Sequence, residues 1–318
     1  MTDLALTAAA QWGLGHARLQ FVAGRENQVY RVTDASGDYA LRLKRPGYRQ
    51  RIEVESELMW MAALDHARIL VPRPVPSLAG NLLEQVGDHP VDLLTWIPGQ
   101  TLGSVLTICS EANALALFER LGRLMAQLHA ASDHWVKPDH FSRIAWNADG
   151  LVGMAPLWGR FWEHPGLSAE DKALLQDFRD RAANDLLRLN DSLDYGLIHA
   201  DLVKENVLIS DGGLGILDFD DGGWGYRQFD IATTLLKFLD APNFTELKDA
   251  LLKGYLGIRT IDTGSVDLFL ALRAVTYVGW IVPRLGDDSA AQRSRRYVAT
   301  AMTVCRHYLS GECRDQSS

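Results

Sequence analysis

Cysteine is scarce in this chain: Cys109, Cys305 and Cys313 are three scattered residues in 318. No Cys-x-x-Cys occurs, which argues against a zinc site and a disulfide framework and points to a reducing compartment, the cytoplasm. No run of 18 or more apolar residues is present, so no membrane span is expected. The opening MTDLALTAAAQWGLG lacks the basic segment that precedes the apolar stretch of a secretory leader. Basic residues are not in excess either. Against 40 Asp and Glu stand 32 Lys and Arg, a formal charge of -8, the opposite of the footprint of a nucleic-acid binder. An anionic ligand stays compatible, because a local pocket can oppose the global sign. There is no internal repeat and no low-complexity segment, and the polar end SGECRDQSS reads as a frayed tail.

What is present is an ordinary globular composition, 47% hydrophobic and 23% charged, in a chain long enough for one large domain or two lobes. Residues 19–23, 29–33 and 39–44 read as strands, the last two joined by the turn Asp34-Ala35-Ser36-Gly37-Asp38. Val54, Leu58, Met61 and Leu64 share one face of a helix over 52–64. Pro72, Pro74 and Pro76 make an extended connector, followed by strands over 81–86 and 91–97. Beyond Pro98-Gly99 the pattern turns helical, over 114–130, 169–187, 229–239, 247–256, 266–282 and 290–309, with short strands at 196–199, 207–209 and 215–218. The expectation is an α+β chain of two lobes. Residues 1–97 form a small mixed lobe with an antiparallel sheet, and 98–318 a larger, mostly helical one.

The chemistry concentrates in Ile198 to Asp220, IHADLVKENVLISDGGLGILDFD. It reads His199-x-Asp201-x-x-x-x-Asn206, an apolar strand, then Asp218-Phe219-Asp220. Phosphoryl transfer from ATP needs one carboxylate to orient the attacking hydroxyl. It also needs an amide oxygen and a second carboxylate to hold Mg²⁺ against the phosphates. Asp201, Asn206 and Asp218 are those types in that order. Asp220 and Asp221 stand open between a second metal, the acceptor and plain solvation. His199 is expected to order the loop rather than move protons. Asp230 caps a helix or braces the loop. Arg273, Tyr277 and Trp280 either line an acceptor pocket or pack in the core.

Arg42 and Lys44 alternate onto one face of their strand, where either can pair nucleotide phosphates or face solvent. Glu57 or Glu53, on the following helix, is the candidate partner of that cation. The loop Gly24-Arg25-Glu26-Asn27-Gln28 lies where it can cover phosphates, with a single glycine. The nucleotide-side set expected is Asn27, Arg42, Lys44, Glu57, Thr95 and Ile97.

HADLVKENVLI and ILDFDDGGWGYRQFDIATTL resemble the catalytic and metal-binding segments of the aminoglycoside phosphotransferase and choline kinase superfamily. RENQVYRV, YALRLKRPGYRQRIEVESELMWMAAL, VPRPV and LGRLMAQLH are similar to its N-terminal patterns, and the likeness spans roughly residues 19 to 240. The motif stretch is also similar to homoserine kinase type II and hydroxylysine kinase. The resemblance implies a protein-kinase-like fold, ATP with Mg²⁺, Asp201 as base, Asn206 and Asp218 as metal ligands, and Glu57 as the helix glutamate. Many relatives keep lysine where this chain has Arg42, which leaves the phosphate-pairing cation open between Arg42 and Lys44. The acceptor expected is a small molecule with a hydroxyl and an amine, an amino alcohol or a hydroxy-amino acid, with Asp220 or Asp221 facing its ammonium group. A stress-response Ser/Thr protein kinase and a non-catalytic nucleotide-binding scaffold are the alternatives.

Overall fold

A computed structural model describes residues 2–24 and 27–311. Arg25, Glu26, Cys313 and the rest of the expected tail beyond Gly311 lie outside the described residues. In chain order the elements are α1 (Thr2–Ala10), β1 (Arg18–Gly24), β2 (Gln28–Asp34), β3 (Gly37–Leu43), α2 (Arg51–His66), β4 (Glu84–Val86), β5 (His89–Thr95), β6 (Gln100–Thr101) and α3 (Leu102–Leu106). There follow α4 (Glu111–His134), β7 (Ala145–Trp146), α5 (Ala148–Val152), α6 (Ala169–Leu189), β8 (Tyr195–Ile198), β9 (Val207–Ser210), β10 (Gly213–Ile216) and β11 (Gly223–Tyr226). The helices α7 (Arg227–Leu236), α8 (Phe244–Leu256), α9 (Val266–Ile281) and α10 (Ala290–Ser310) close the chain.

Two compact units emerge, and the chain enters each of them more than once. The first gathers Met1–Ile108, Ala130–Ile144 and Glu205–Asp220; the second gathers Cys109–His129, Ala145–Lys204 and Asp221–Ser318.

The first unit carries an antiparallel five-stranded sheet in the order β1-β2-β3-β5-β4. The β2–β3 turn is tighter than expected: Asp34 pairs with Gly37, leaving two residues in the loop, and Gly37 at φ +135 takes a conformation few other residues adopt. The register sets Arg42 opposite Asp92. The opening residues, unassigned by sequence, form α1, whose Ala5, Ala8 and Ala9 pack with Tyr30, Val32, Leu41 and Leu93. Small residues at helical spacing let the helix sit close to its neighbours. On α2, Gln50 and Glu53 form a capping box in which the Glu53 carboxylate accepts from the Gln50 N–H. A second, small sheet runs β10-β9-β6.

The second unit is helical around the sheet β7-β11-β8. Val266–Arg284 is long and apolar enough by length and composition to cross a membrane, which the sequence reading did not anticipate. That stretch is 78% buried, the mark of a core helix. Helices α4 and α8 meet backbone to backbone. A Cβ on Gly254 would lie 1.8 Å from the Glu119 carbonyl oxygen, and one on Gly122 1.9 Å from that of Leu251. An exposed helical Gly→Ala change gains up to about 1 kcal/mol. Here the added methyl must push the helices away from each other, so Gly254→Ala is expected to destabilise the fold by about 2 kcal/mol or more. Urea unfolding checks the sign; stabilisation would mean that the crossing has slack.

Candidate functional site

In the first unit the strand alternation of β3 puts two cations among three carboxylates. Just past the end of β3, Lys44 donates from Nζ to both Glu57 oxygens at 3.2 Å and also to Asp220. Arg42 forks onto Asp92, Nε–Oδ1 2.7 Å and Nη2–Oδ2 3.1 Å, and its Nη1 lies 2.9 Å from Glu57 Oε1. All of Arg42, Lys44, Glu57 and Asp92 are buried. Burial and the Arg42 charge press Lys44 toward neutrality, but Asp220, Glu57 and Asp92 outweigh them and raise its pKa. Burial alone would raise the Asp220 carboxyl; Lys44, Arg42 and Arg143 instead hold it well below the carboxylate range. Glu57, rather than Glu53, meets the cation, because Glu53 closes the helix cap one turn earlier.

Asn27 joins this cluster, donating to Asp220 and accepting from the Arg45 N–H at 3.2 Å. Asn27, Lys44, Arg49 and Asp220 line a small cleft. The larger cavity of this unit, about 600 Å³, lies among Met59, Ala62, Leu82, Trp135 and Pro138 and carries none of the expected residues. Thr95 and Ile97 are not brought to the cations. Thr95 closes β5 three residues beyond Asp92, where its N–H donates to the Arg73 carbonyl and its hydroxyl accepts from the Arg73 N–H, both at 2.9 Å. Ile97 follows past the strand end, half-buried.

Asn206 and Asp218 both lie at one end of the β9–β10 hairpin. Val207 pairs with Ile216, and the Leu217 N–H donates to the Asn206 carbonyl at 2.8 Å, so the next residue on that side is Asp218. The strand stops two residues earlier than expected, because the Asp211-Gly212 turn pairs Ser210 with Gly213. Asp218 therefore lies beyond it at φ 65, exposed, a conformation costly for a residue with a Cβ. Phe219 anchors this turn, fully buried and edge-on to Trp60 at 5.1 Å. Arg143 clamps it by donating to the carbonyls of Phe219 and Asp220 at 2.9 and 2.8 Å.

In the second unit Asp201 follows β8. Ala200, at φ 64, and His199 both donate backbone N–H groups to Asp230, at 2.6 and 2.9 Å. Asp230 sits inside the first turn of α7, three residues past its start, so it braces the loop and does not cap the helix. His199 is fully buried, and its Nδ1 accepts from the Asp201 N–H at 3.2 Å, the ordering role expected of it. The Thr234 hydroxyl donates to the Leu202 carbonyl at 2.8 Å. Asp201 itself accepts from Arg273 Nη2 at 2.7 Å.

The second unit thus holds an arginine-paired carboxylate on a braced loop, and the first holds an amide and a carboxylate at one hairpin end and a buried cation–glutamate pair. A family model, the phosphotransferase enzyme family, matches residues 18–269. The chain belongs to that family. It is a kinase, an enzyme that transfers a phosphoryl group to a hydroxyl. An amicoumacin kinase of Bacillus subtilis (strain 168) is 28% identical over 92% of this chain and 88% of its own. A homoserine kinase of Gluconobacter oxydans (strain 621H) is 27% identical over 83% of this chain and 80% of its own. The solved structure of a microcompartment-associated aminopropanol kinase superposes with a TM-score of 0.84 at 28% identity, covering 98% of both chains.

Asp220, which the sequence leaves open between a second metal, the acceptor and solvation, is engaged by side chains of its own unit. Its carboxylate is taken up by Lys44, Arg42 and Asn27. Sequence reasoning missed Asp92 and Arg143 altogether. Asp92 left a signal, a charge inside the apolar strand segment VDLL; Arg143 left none.

Behind the loop, His129 Nε2 donates to Asp230 at 3.0 Å, and its Nδ1 accepts the Tyr255 hydroxyl at 2.8 Å. Burial is the main reason that the His129 pKa falls to about 4; the Asp230 contacts offset it only in part. The unfolded histidine protonates near 6.5, so between pH 6.5 and 4 the unfolded chain binds the proton and the folded one does not. His129 thus contributes stability above pH 6.5 that is lost as pH falls toward 4, of order 3 kcal/mol in all. His164, also lowered by burial, adds with the same sign. Urea unfolding from pH 7 to 5 should show a shallower loss for His129→Gln than for the wild type; equal slopes would contradict the neutral, buried imidazole.

Proposed function

We propose that this kinase transfers the γ-phosphoryl group of ATP to a hydroxyl of a small amine-bearing molecule, an amino alcohol or a hydroxy-amino acid. The observation that carries this reading is the likeness to an aminopropanol kinase over 98% of both chains, beside a homoserine kinase of similar identity. An amicoumacin kinase solved in complex with AMP-PNP and Ca²⁺ supports a nucleotide with a divalent metal.

In this reading residues 1–97 hold the nucleotide and 98–318 supply catalysis and the acceptor. Asp201 orients the acceptor hydroxyl and takes its proton as the new oxygen–phosphorus bond forms and the bond from the γ-phosphorus to the bridging oxygen breaks, releasing ADP. Lys44 pairs the phosphates, held by Glu57. Arg42 supports it from behind, since its fork is committed to Asp92. Asn27 reaches the same phosphates, and Thr95 and Ile97 border the nucleotide from the end of β5. Asp220 stands in for a phosphate on Lys44 until nucleotide arrives.

Asn206 and Asp218 would hold the metal. Among the described residues no cluster of three His, Cys, Asp or Glu side chains is placed to ligate one. Mg²⁺ in such enzymes is held by one or two protein oxygens, water and phosphates, so an exposed carboxylate and an amide at the same end of one hairpin fit it. Bound Mg²⁺ supplies charge neutralisation on the phosphates.

The test is an ATP-consumption screen over amino alcohols, hydroxy-amino acids, amicoumacin-type and aminoglycoside amines, and a generic protein substrate, with Asp201→Asn alongside. Turnover is expected with at least one small amine-bearing alcohol and none with protein, and Asp201→Asn should lower kcat by about 10²–10⁴-fold. Phosphate appearing only in protein, or full turnover by Asp201→Asn, would overturn the reading.

A further inference from the structure

Arg273 lies in the middle of α9, a helix otherwise made almost entirely of apolar residues, and its side chain is fully buried. A buried guanidinium is costly unless paired and hydrogen-bonded. Among the described residues the carboxylate it pairs with is Asp201, at 2.7 Å from Nη2. The same nitrogen donates to the Tyr277 hydroxyl at 3.0 Å. Aromatic rings hold the guanidinium plane: Tyr277 at 4.3 Å, Trp158 at 4.7 Å and Phe229 at 5.4 Å from its centre. The burial is asymmetric. The Arg273 side chain is 0% exposed and that of Asp201 24%, so the cation lies behind the carboxylate and the carboxylate keeps access to a ligand.

We infer that Arg273 is a positioning residue for Asp201: it fixes the orientation of the carboxylate that receives the acceptor hydroxyl, and it does not touch the acceptor itself. This rests on Asp201 being the base. The arrangement follows the logic of catalytic triads, in which a third group orients the base. It differs in that the orienting group is a cation and the base an anion. A planar guanidinium seated among rings offers Nη2 to Asp201 Oδ1 from one fixed direction, which a flexible lysine ammonium does not. The rings supply the rigidity on the other side, since a guanidinium packed against three of them cannot swing without leaving all three.

The alternative, an arginine that merely fills the core of the second unit, is separable by a double-mutant cycle. Arg273→Met keeps the length and apolar stem, and Asp201 stays partly solvated, so no buried charge is stranded. The variants Arg273→Met, Arg273→Lys, Asp201→Asn and Asp201→Asn with Arg273→Met are assayed for ATP turnover with aminopropanol and with homoserine. Arg273→Met is expected to lower kcat by about 10²-fold, with the KM for ATP changed less than about threefold. Arg273→Lys should regain about tenfold of the loss. On the Asp201→Asn background Arg273→Met should cost less than about twofold, because a residue acting through Asp201 has nothing left to orient.

A crystal structure of Arg273→Met gives a readout independent of turnover. The Asp201 carboxylate is expected in a new or multiple orientation. An unchanged Asp201 in that crystal, or the same loss on both backgrounds, would overturn the positioning role. Full turnover by Asp201→Asn would instead remove the base assignment on which it rests.

Discussion

A lysine buried among strands must be held charged by carboxylates or it loses its proton, and the first unit is arranged around that constraint. Lys44 lies between Glu57 and Asp220, and Arg42 forks onto Asp92 while its remaining nitrogen reaches Glu57, so the two cations share that carboxylate. The antiparallel register of β3 and β5 sets Arg42 opposite Asp92, and the helix cap at Gln50 and Glu53 sets the phase that turns Glu57 inward. Without either, a buried charge would be left unpaired, at a cost of several kcal/mol. The arrangement is self-neutralising: Arg42, Lys44 and Arg143 face Glu57, Asp92 and Asp220. Of the three carboxylates, Asp220 belongs to a turn, whereas Glu57 and Asp92 are fixed on a helix and a strand. In the proposed function Asp220 is therefore the partner that an incoming phosphate replaces.

The second unit applies the same economy to a loop. Asp230 gathers the backbone N–H groups of His199 and Ala200 and the imidazole of His129 on one carboxylate. That satisfies donors which a left-handed Ala200 would otherwise point into an apolar interior. Asp201, next in the chain, inherits a rigid backbone and is oriented further by Arg273. Backbone strain appears at Ala200, which precedes the proposed base, and at Asp218, the proposed metal ligand, and each is over-determined by buried contacts around it.

Much of this was legible in the sequence where spacing is local. The His199 to Asp220 run, the helical stretches and the sheet strands follow from residue type and period, because both are local properties of the chain. What was not legible depended on distant partners. Nothing near Arg143 indicates the carbonyls of Phe219 and Asp220, and nothing near Asp220 indicates that Lys44, 176 residues away, would claim its carboxylate. Glu53 and Glu57 share a helix face, so only the cap geometry separates them. Arg273 stands near Tyr277 and Trp280 in the sequence, yet its pairing with Asp201 spans 72 residues. The alanine-rich α1 carries little periodic contrast from which a helix can be read.

The central claim is that Lys44, braced by Glu57, exchanges Asp220 for a nucleotide phosphate. A crystal structure of the enzyme with Mg²⁺ and a non-hydrolysable ATP analogue tests it most directly. The account predicts Lys44 Nζ within hydrogen-bond reach of a phosphate oxygen, its contact with Glu57 kept and that with Asp220 broken. An intact Lys44–Asp220 pair, with the phosphates bound elsewhere, would contradict it.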